Sequence, residues 1–287
     1  MSGRDPLRAL WALTKPSVTR MCILTTAGGL LLAPGSVSRG TAACALLGTA
    51  AAVGGANAFN MWWERDADAK MSRTRRRPLP ARILPPQIAW YFAWALSLLA
   101  VAVLSIGTNV LTAVLAAASI AGYVLVYTPL KYRTPAALVI GAVPGAMPPL
   151  LGWTAVTGSV DAPAVVLAAI LFLWQLPHFL AIALYRAEDY AKAGIKVVPL
   201  VRGTAIAKIQ AVAWTMVLVP VSLMLVPMGV AGDRYMLVAF IAGTAFLGWS
   251  FTGLDDKAGS RWARGFFFAS LVYLPALMIA LALDVGL

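Results

Sequence analysis

Nine apolar runs, each about 18 residues or longer, punctuate this chain. As a helix, a run of that length crosses a hydrocarbon layer of roughly 30 Å. A backbone in that layer must satisfy its own N–H and C=O groups, which leaves helices or a closed barrel. The runs are continuous rather than alternating, so they read as helices. They fall at about 16–34, 42–63, 88–106, 109–127, 136–156, 163–184, 207–228, 235–252 and 263–283. The expected fold is all-α: a polytopic membrane bundle of nine transmembrane helices, forming one integral-membrane domain over residues 1–287. Composition agrees, with 61% hydrophobic and only 12% charged residues, where a soluble domain has about 25% charged. No short apolar leader with a small-residue cleavage site precedes the first run, so no cleaved signal peptide is expected.

The net charge of +12 would suit a nucleic-acid partner in a soluble protein. Here its placement argues otherwise, and no nucleic acid is expected. Of the 23 basic residues, 21 belong to the polar lead and to alternate inter-span segments or the span ends beside them; only Arg39 and Arg234 fall on the other side. The positive-inside rule then puts the N-terminus in the cytoplasm and the C-terminus outside. Cys22 and Cys44 both sit in apolar runs and read as small buried hydrophobes, not as a disulfide or metal pair.

Two cytoplasmic segments, 64–87 and 185–206, are long and chemically rich, and are expected to cap a cavity facing that side. At the first, Asn57, Asn60, Glu64 and Asp68 recur at spacings of three, four and four, which places them on one helical stripe; Asp66 falls off it. Carboxylates with an amide oxygen are the donors Mg²⁺ takes, completed by water and substrate phosphate. The stripe therefore reads as a magnesium site of Asn60, Glu64 and Asp68. The plainer alternative is a solvated helix end paired to nearby arginines. Asn57 and Asn60 lie too deep for that, since polar groups inside a membrane are costly unless used. Arg73, Arg75, Arg76 and Arg77 follow at once. They serve topological retention, and as guanidinium forks they also suit phosphoryl oxygens.

The second cap segment carries Tyr185, Arg186, Glu188, Asp189, Tyr190, Lys192 and Lys196. Glu188 and Lys192 have the spacing of an ordinary helical ion pair. Functionally, Asp189 reads as a second metal carboxylate, and Arg186, Lys192 and Lys196 as phosphate ligands. Lys131 and Arg133 share this side, and Lys131 is a further anion contact. His178, the sole histidine, lies seven residues before Tyr185 and three after Gln175. It is either a satisfied core residue or a group lining a cavity: a haem axial ligand, a general base, or a hydrogen-bond partner to a carboxylate. Residues 141–153 hold three glycines and three prolines inside one run, a composition that lets helices break and approach closely beside a cavity.

These residues resemble the UbiA-type intramembrane prenyltransferases over nearly the whole chain. The likeness rests on LTKPSVTRMCILTTAGG at 13–29, NMWWERDADAKMSRTRRRPLP at 60–80 and YTPLKYRT at 127–134. It rests also on IGAVPGAMPPLLGW at 140–153, WQLPHFLAIAL at 174–184 and DYAKAGIKVVP at 189–199. Asn60, Glu64 and Asp68 match the family's first acidic motif, with Glu64 where aspartate is more usual. Met71, Arg73, Thr74, Arg77 and Pro78, then Trp174, Gln175, Pro177 and His178, then Asp189 and Tyr190, match its haem-modifying branch. Ala137 departs from that branch, where a polar asparagine is expected.

The resemblance implies nine helices around a central cavity open to lipid, in a bacterial plasma membrane. It implies transfer of farnesyl from farnesyl diphosphate to haem B, with Mg²⁺ as cofactor. Asn60, Glu64, Asp68, Asp189 and Tyr190 would be catalytic, with the first four holding metal. Arg73, Arg77, Lys131, Arg186, Lys192 and Lys196 would bind diphosphate, while His178 and Gln175 would bind haem. A haem A synthase or terminal oxidase is the implied downstream partner. Three other readings compete: a relative acting on an aromatic or quinone precursor, a transporter using acidic helix residues as an ion path, and a non-catalytic haem-binding assembly factor. The clustering of ionisable groups at one membrane face disfavours the transporter, and the stripe disfavours the assembly factor.

Overall fold

The computed structural model describes residues 6–284; Arg4 of the basic lead lies outside the described residues. Among these residues the chain is helical, without strands. A short helix α1 (Pro6–Leu13) precedes α2 (Pro16–Leu32), then come α3 (Arg39–Asp68), α4 (Pro86–Gly107) and α5 (Val110–Leu130). They are followed by α6 (Ala137–Thr157), α7 (Ala162–Tyr185), the short α8 (Ala187–Lys192) and α9 (Val198–Val201). Three long helices close the chain: α10 (Thr204–Leu223), α11 (Asp233–Thr252) and α12 (Ser260–Asp284).

Eight of these helices are both apolar and at least 18 residues long. The ninth expected span is α2, one residue shorter at 17, or about 25 Å of rise. The helix starts follow local chemistry. Pro16 and Pro86 occupy first helical turns, where a missing N–H costs nothing. Ser38 and Asn109 cap α3 and α5 by accepting from the N–H groups of Thr41 and Thr112, at 3.0 and 2.9 Å.

Around the bundle α2 packs on α3, α3 on α4, α4 on α5, α6 on α7, α7 on α10 and α12, and α10 on α11. α11 packs on α12, and α12 returns to α2, closing the ring. α6 is broken at Ala146, between Pro144 and Pro148, as its proline and glycine content anticipates. Its second half lies hard against α2. A Cβ on Gly29 would sit 2.0 Å from the Pro149 carbonyl oxygen, and one on Gly152 would sit 2.0 Å from that of Thr26. Only bare glycine backbones allow this approach.

The first cap segment starts later than expected. α3 stays helical through Glu64 to Asp68, so the non-helical connection runs over 69–85 as successive turns. α10 ends at Leu223, with turns over 224–229 where the apolar run suggested more helix. In α5 the last turns widen to a π-helix over Gly122–Tyr127, a distortion often found beside functional sites.

Candidate active site

The stripe on α3 faces the interior. Asn57, Asn60, Glu64 and Asp68 are 4, 2, 6 and 1% exposed, whereas Asp66 is exposed and pairs only with Arg65 at 3.9 Å. Asn57 donates to the carbonyl of Thr14 at 3.3 Å. Above it, Asn60, Glu64 and Asp68 present oxygens one helical turn apart, and each meets a cation from a different part of the chain. Asn60 Oδ1 accepts from Lys15 Nζ at 3.0 Å. Glu64 Oε1 forms an ion pair with Lys131 and accepts from the Tyr132 hydroxyl at 3.4 Å. Asp68 Oδ2 takes Arg77 Nη1 at 2.7 Å. The other Asp68 oxygen, Oδ1, is buried with no hydrogen-bond partner; among the described residues only it and Thr49 Oγ1 are in that state.

Local structure explains how the cations arrive. Lys15 sits in the left-handed region at φ 49°, ψ 70°, at the junction of α1 and α2. The following proline disfavours the right-handed helical region there, and the turn aims the side chain inward. Burial, then the nearby Arg77 charge, pull the Lys15 ammonium down to about 7. Lys131 follows the π-helical segment of α5, with its ammonium 4.7 Å from the Tyr127 ring centroid. Burial works against its charge, but Tyr127 and Glu64 outweigh it and hold Lys131 above the usual lysine range. Thr128 accepts from Asn60 Nδ2 at 3.3 Å and donates to the Tyr123 carbonyl at 2.8 Å, tying α5 to the stripe.

The expected basic ligands separate into two groups. Arg77 and Lys131 reach the stripe, whereas Arg73, Lys192 and Lys196 are exposed on the cap, and Arg186 is half-buried. The two cap segments are fastened together. Asp189 accepts from the Ser72 N–H at 3.3 Å and from its hydroxyl at 3.0 Å, with Arg186 3.8 Å away. Burial opposes the Asp189 charge, but the two Ser72 hydrogen bonds prevail and hold its carboxyl below the usual aspartate value. Lys196 N–H donates to the Lys131 carbonyl at 2.8 Å. Met71, Ala193 and Ile195 form a small apolar cluster under this cap, with Tyr132 and Tyr190 against it. Burial raises the Tyr190 hydroxyl above the usual tyrosine value, against the pull of Arg73. Asp189 is thus engaged by Ser72 rather than gathered with Glu64 and Asp68. Among the described residues no three His, Cys, Asp or Glu side chains group closely enough to hold one ion.

Gln175 and His178, one helical turn apart on α7, meet different neighbours: Gln175 packs towards α6 and His178 towards α12. Gln175 donates to the carbonyls of Leu171 and Ala142, at 3.0 and 3.4 Å. It also fills the slot beside Gly145, where a Cβ would fall 2.1 Å from its Oε1. His178 stacks on Trp174, with centroids 4.8 Å apart, and faces Phe267 of α12. Its Nδ1 lies 2.7 Å from Ser270 Oγ. With that hydroxyl donating to the Phe267 carbonyl 2.6 Å away, Nδ1 would carry the ring proton and Nε2 the lone pair. Ala137 is buried at the start of α6.

Sequence reasoning missed Lys15, Ser72, Thr128 and Ser270. A lysine directly before the first helix start was the available signal for Lys15. The others had none, because single hydroxyl residues carry no periodicity.

A sequence profile described as the UbiA prenyltransferase family matches residues 22–272. A Myxococcus xanthus (strain DK1622) protein named protoheme IX farnesyltransferase is 47% identical, covering 96% of this chain and 94% of its own. A Sorangium cellulosum (strain So ce56) protein of the same name is 52% identical, covering 89% and 91%. Among solved structures, a digeranylgeranylglyceryl phosphate synthase superposes with TM-score 0.80 at 17% identity, covering 97% of this chain and 98% of its own. A UbiA homolog from Archaeoglobus fulgidus bound to GPP and Mg²⁺ gives 0.64 at 14%, covering 96% and 99%. At those identities the structural likeness speaks for the fold.

Proposed function

The chain belongs to the UbiA prenyltransferase family and is an integral-membrane prenyltransferase, and from that premise we propose that it transfers farnesyl from farnesyl diphosphate to a vinyl group of haem B. Water adds in the same reaction, giving a hydroxyethylfarnesyl haem and diphosphate. The observation that carries the reaction class is the buried column of oxygen donors, Asn60, Glu64 and Asp68, met by three cations beneath a basic cap. The acceptor and the chain length follow the name shared by relatives that match along most of their length.

The donor set fits magnesium. It consists of oxygen alone, and the unpartnered Asp68 Oδ1 is a buried acceptor awaiting a cation. Asn60, Glu64 and Asp68 would hold the ion, which when bound neutralises charge on the leaving diphosphate. Arg77 and Lys131 donate to the phosphoryl oxygens, while Arg73, Arg186, Lys192 and Lys196 draw the anion to the cap. Asp189, fastened by Ser72, closes the second cap segment over the first, and half-buried Tyr190 lines the underside.

The allylic C–O bond breaks and its electron pair leaves with diphosphate. The haem vinyl π pair then closes the new C–C bond. A water oxygen adds to the resulting carbocation and loses its proton. The apolar walls of the bundle keep water from the farnesyl cation until the vinyl group has attacked it. His178 takes the haem iron through Nε2, with Nδ1 held by Ser270. We place the cap, and with it the N-terminus, in the cytoplasm.

The test uses detergent-purified protein with haem B, farnesyl diphosphate and Mg²⁺, read by mass spectrometry. The expected product is haem heavier by one farnesyl group and one hydroxyl, lost with a chelator and in Asp68→Asn. Haem that stays bound but unmodified overturns the reaction. Product that survives Asp68→Asn moves the metal off the stripe.

A further inference from the structure

Lys15 is a half-buried ammonium with no carboxylate in direct contact. Its one hydrogen bond is to a neutral amide, Asn60 Oδ1, and it makes no ion pair among the described residues. The neighbouring cations differ, since Lys131 sits on Glu64 and Arg77 on Asp68. Even a half-buried charge without a counter-charge is costly, and an ammonium has three donors to satisfy. The chain nevertheless adopts a left-handed backbone at a non-glycine position to put it there. Observed strain of this kind points to use.

We propose that Lys15 is a ligand of the substrate's diphosphate group, parked on Asn60 until metal and diphosphate arrive together. The inference rests on the prenyl diphosphate reading above. Its logic is competition for one oxygen. An ammonium and a divalent cation sharing Asn60 Oδ1 would lie side by side and repel each other, even though the oxygen has two lone pairs. An ion on the stripe therefore releases Lys15, and the freed ammonium finds its counter-charge in the phosphoryl oxygens that complete the ion's shell. Metal and diphosphate consequently bind cooperatively, and Lys15 is the group through which metal binding at Asn60 raises diphosphate affinity. Unlike the exposed Arg73, Lys192 and Lys196, it acts on the stripe itself, one hydrogen bond from Asn60.

The experiment compares the full-length protein with Lys15→Gln, Lys15→Met and Lys15→Arg. Gln keeps a donor for Asn60 and drops the charge, Met drops both, and Arg keeps the charge. Calorimetry reads pyrophosphate binding with Mg²⁺ present, and electron paramagnetic resonance reads Mn²⁺ binding without pyrophosphate. Loss of a charge-assisted hydrogen bond should weaken pyrophosphate about 10- to 100-fold in Gln and Met. Mn²⁺ alone should bind as well as in wild type or better, and Arg should restore most of the pyrophosphate affinity. Pyrophosphate affinity within twofold of wild type in Lys15→Gln overturns the proposal, leaving Lys15 as a prop for Asn60. So does equal weakening of Mn²⁺ and pyrophosphate. Wild-type protein that binds neither probe overturns the prenyl diphosphate reading itself, and this proposal with it; either variant failing alone leaves that reading intact.

Discussion

Single atoms decide most of the chemistry at this site. Asp68 has one oxygen on Arg77 and the other on nothing, so Asp68→Asn is a mild change for the fold and a severe one for an ion. The amide still accepts from Arg77, but the charge proposed to hold a divalent cation is gone. We expect prenyl transfer to fall by about 100-fold or more, with unchanged yield and haem binding, measured by product formation at saturating substrates. The histidine makes a second, separable case. His178→Ala should remove the proposed axial ligand and change the Soret band and spin state of bound haem. Ser270→Ala should keep the ligand and lose only the hydrogen bond that fixes its tautomer, weakening haem binding about tenfold. Identical spectra for wild type and His178→Ala would show that the histidine is a core residue. The acidic stripe was legible because helical periodicity announces which residues share a face. The partners of the stripe were not. Lys15 looks like one more retained cation, and nothing in the order of Arg73 to Arg77 says that only Arg77 turns back to Asp68, because turns have no repeat from which to read direction.

At the scale of the element, two contacts matter beyond their size. One is the glycine seam between α2 and α6. Gly152→Val would drive a side chain into the backbone of α2 at Thr26 and Leu30. Overpacking of this kind costs roughly 1–3 kcal/mol or more, and a lowered thermal midpoint in detergent is the expected readout. The other is the Ser72–Asp189 fastening of the cap. Ser72→Ala removes the hydroxyl and leaves only the backbone N–H as donor. The expected result is a KM for prenyl diphosphate raised about 3- to 10-fold, little change in kcat, and faster proteolysis within 69–85. Because the Asp189 carboxyl is held below its ordinary value, this latch is complete above about pH 4 and weakens only as pH falls below that. Proteolysis rates at pH 6 and pH 8 should therefore agree. The break at Ala146 was legible from prolines 144, 148 and 149 and their glycines, whereas the π-helical turns before Thr128 were not. A π turn adds one residue and rotates the face that follows it by about 100°, a shift that leaves no trace in a run as uniformly apolar as this one.

The whole molecule is polarised along the membrane normal. Lys15, the stripe, Lys131 and both cap segments meet at one end of the ring, and the opposite end holds helix caps such as Asn109 against the Thr154 carbonyl and Asp284 against the Gly232 N–H. Span count and charge alternation together specified this polarity from sequence alone, since nine crossings force odd and even connections to opposite faces. The only shortfall in length, α2, leaves the alternation intact because its flanking turns still lie at opposite ends. A diphosphate donor made in the cytoplasm must enter from the face bearing the cap, so orientation and function stand or fall together. The check replaces Cys22 and Cys44 with alanine and adds one reporter at a time, Ser159→Cys or Asp256→Cys. A membrane-impermeant maleimide on intact cells should label Ser159→Cys, while Asp256→Cys should react only after the membrane is opened. The reverse pattern would put the acidic stripe and its basic cap outside the cell, away from any cytoplasmic supply of prenyl diphosphate, and the proposed reaction would lose its donor.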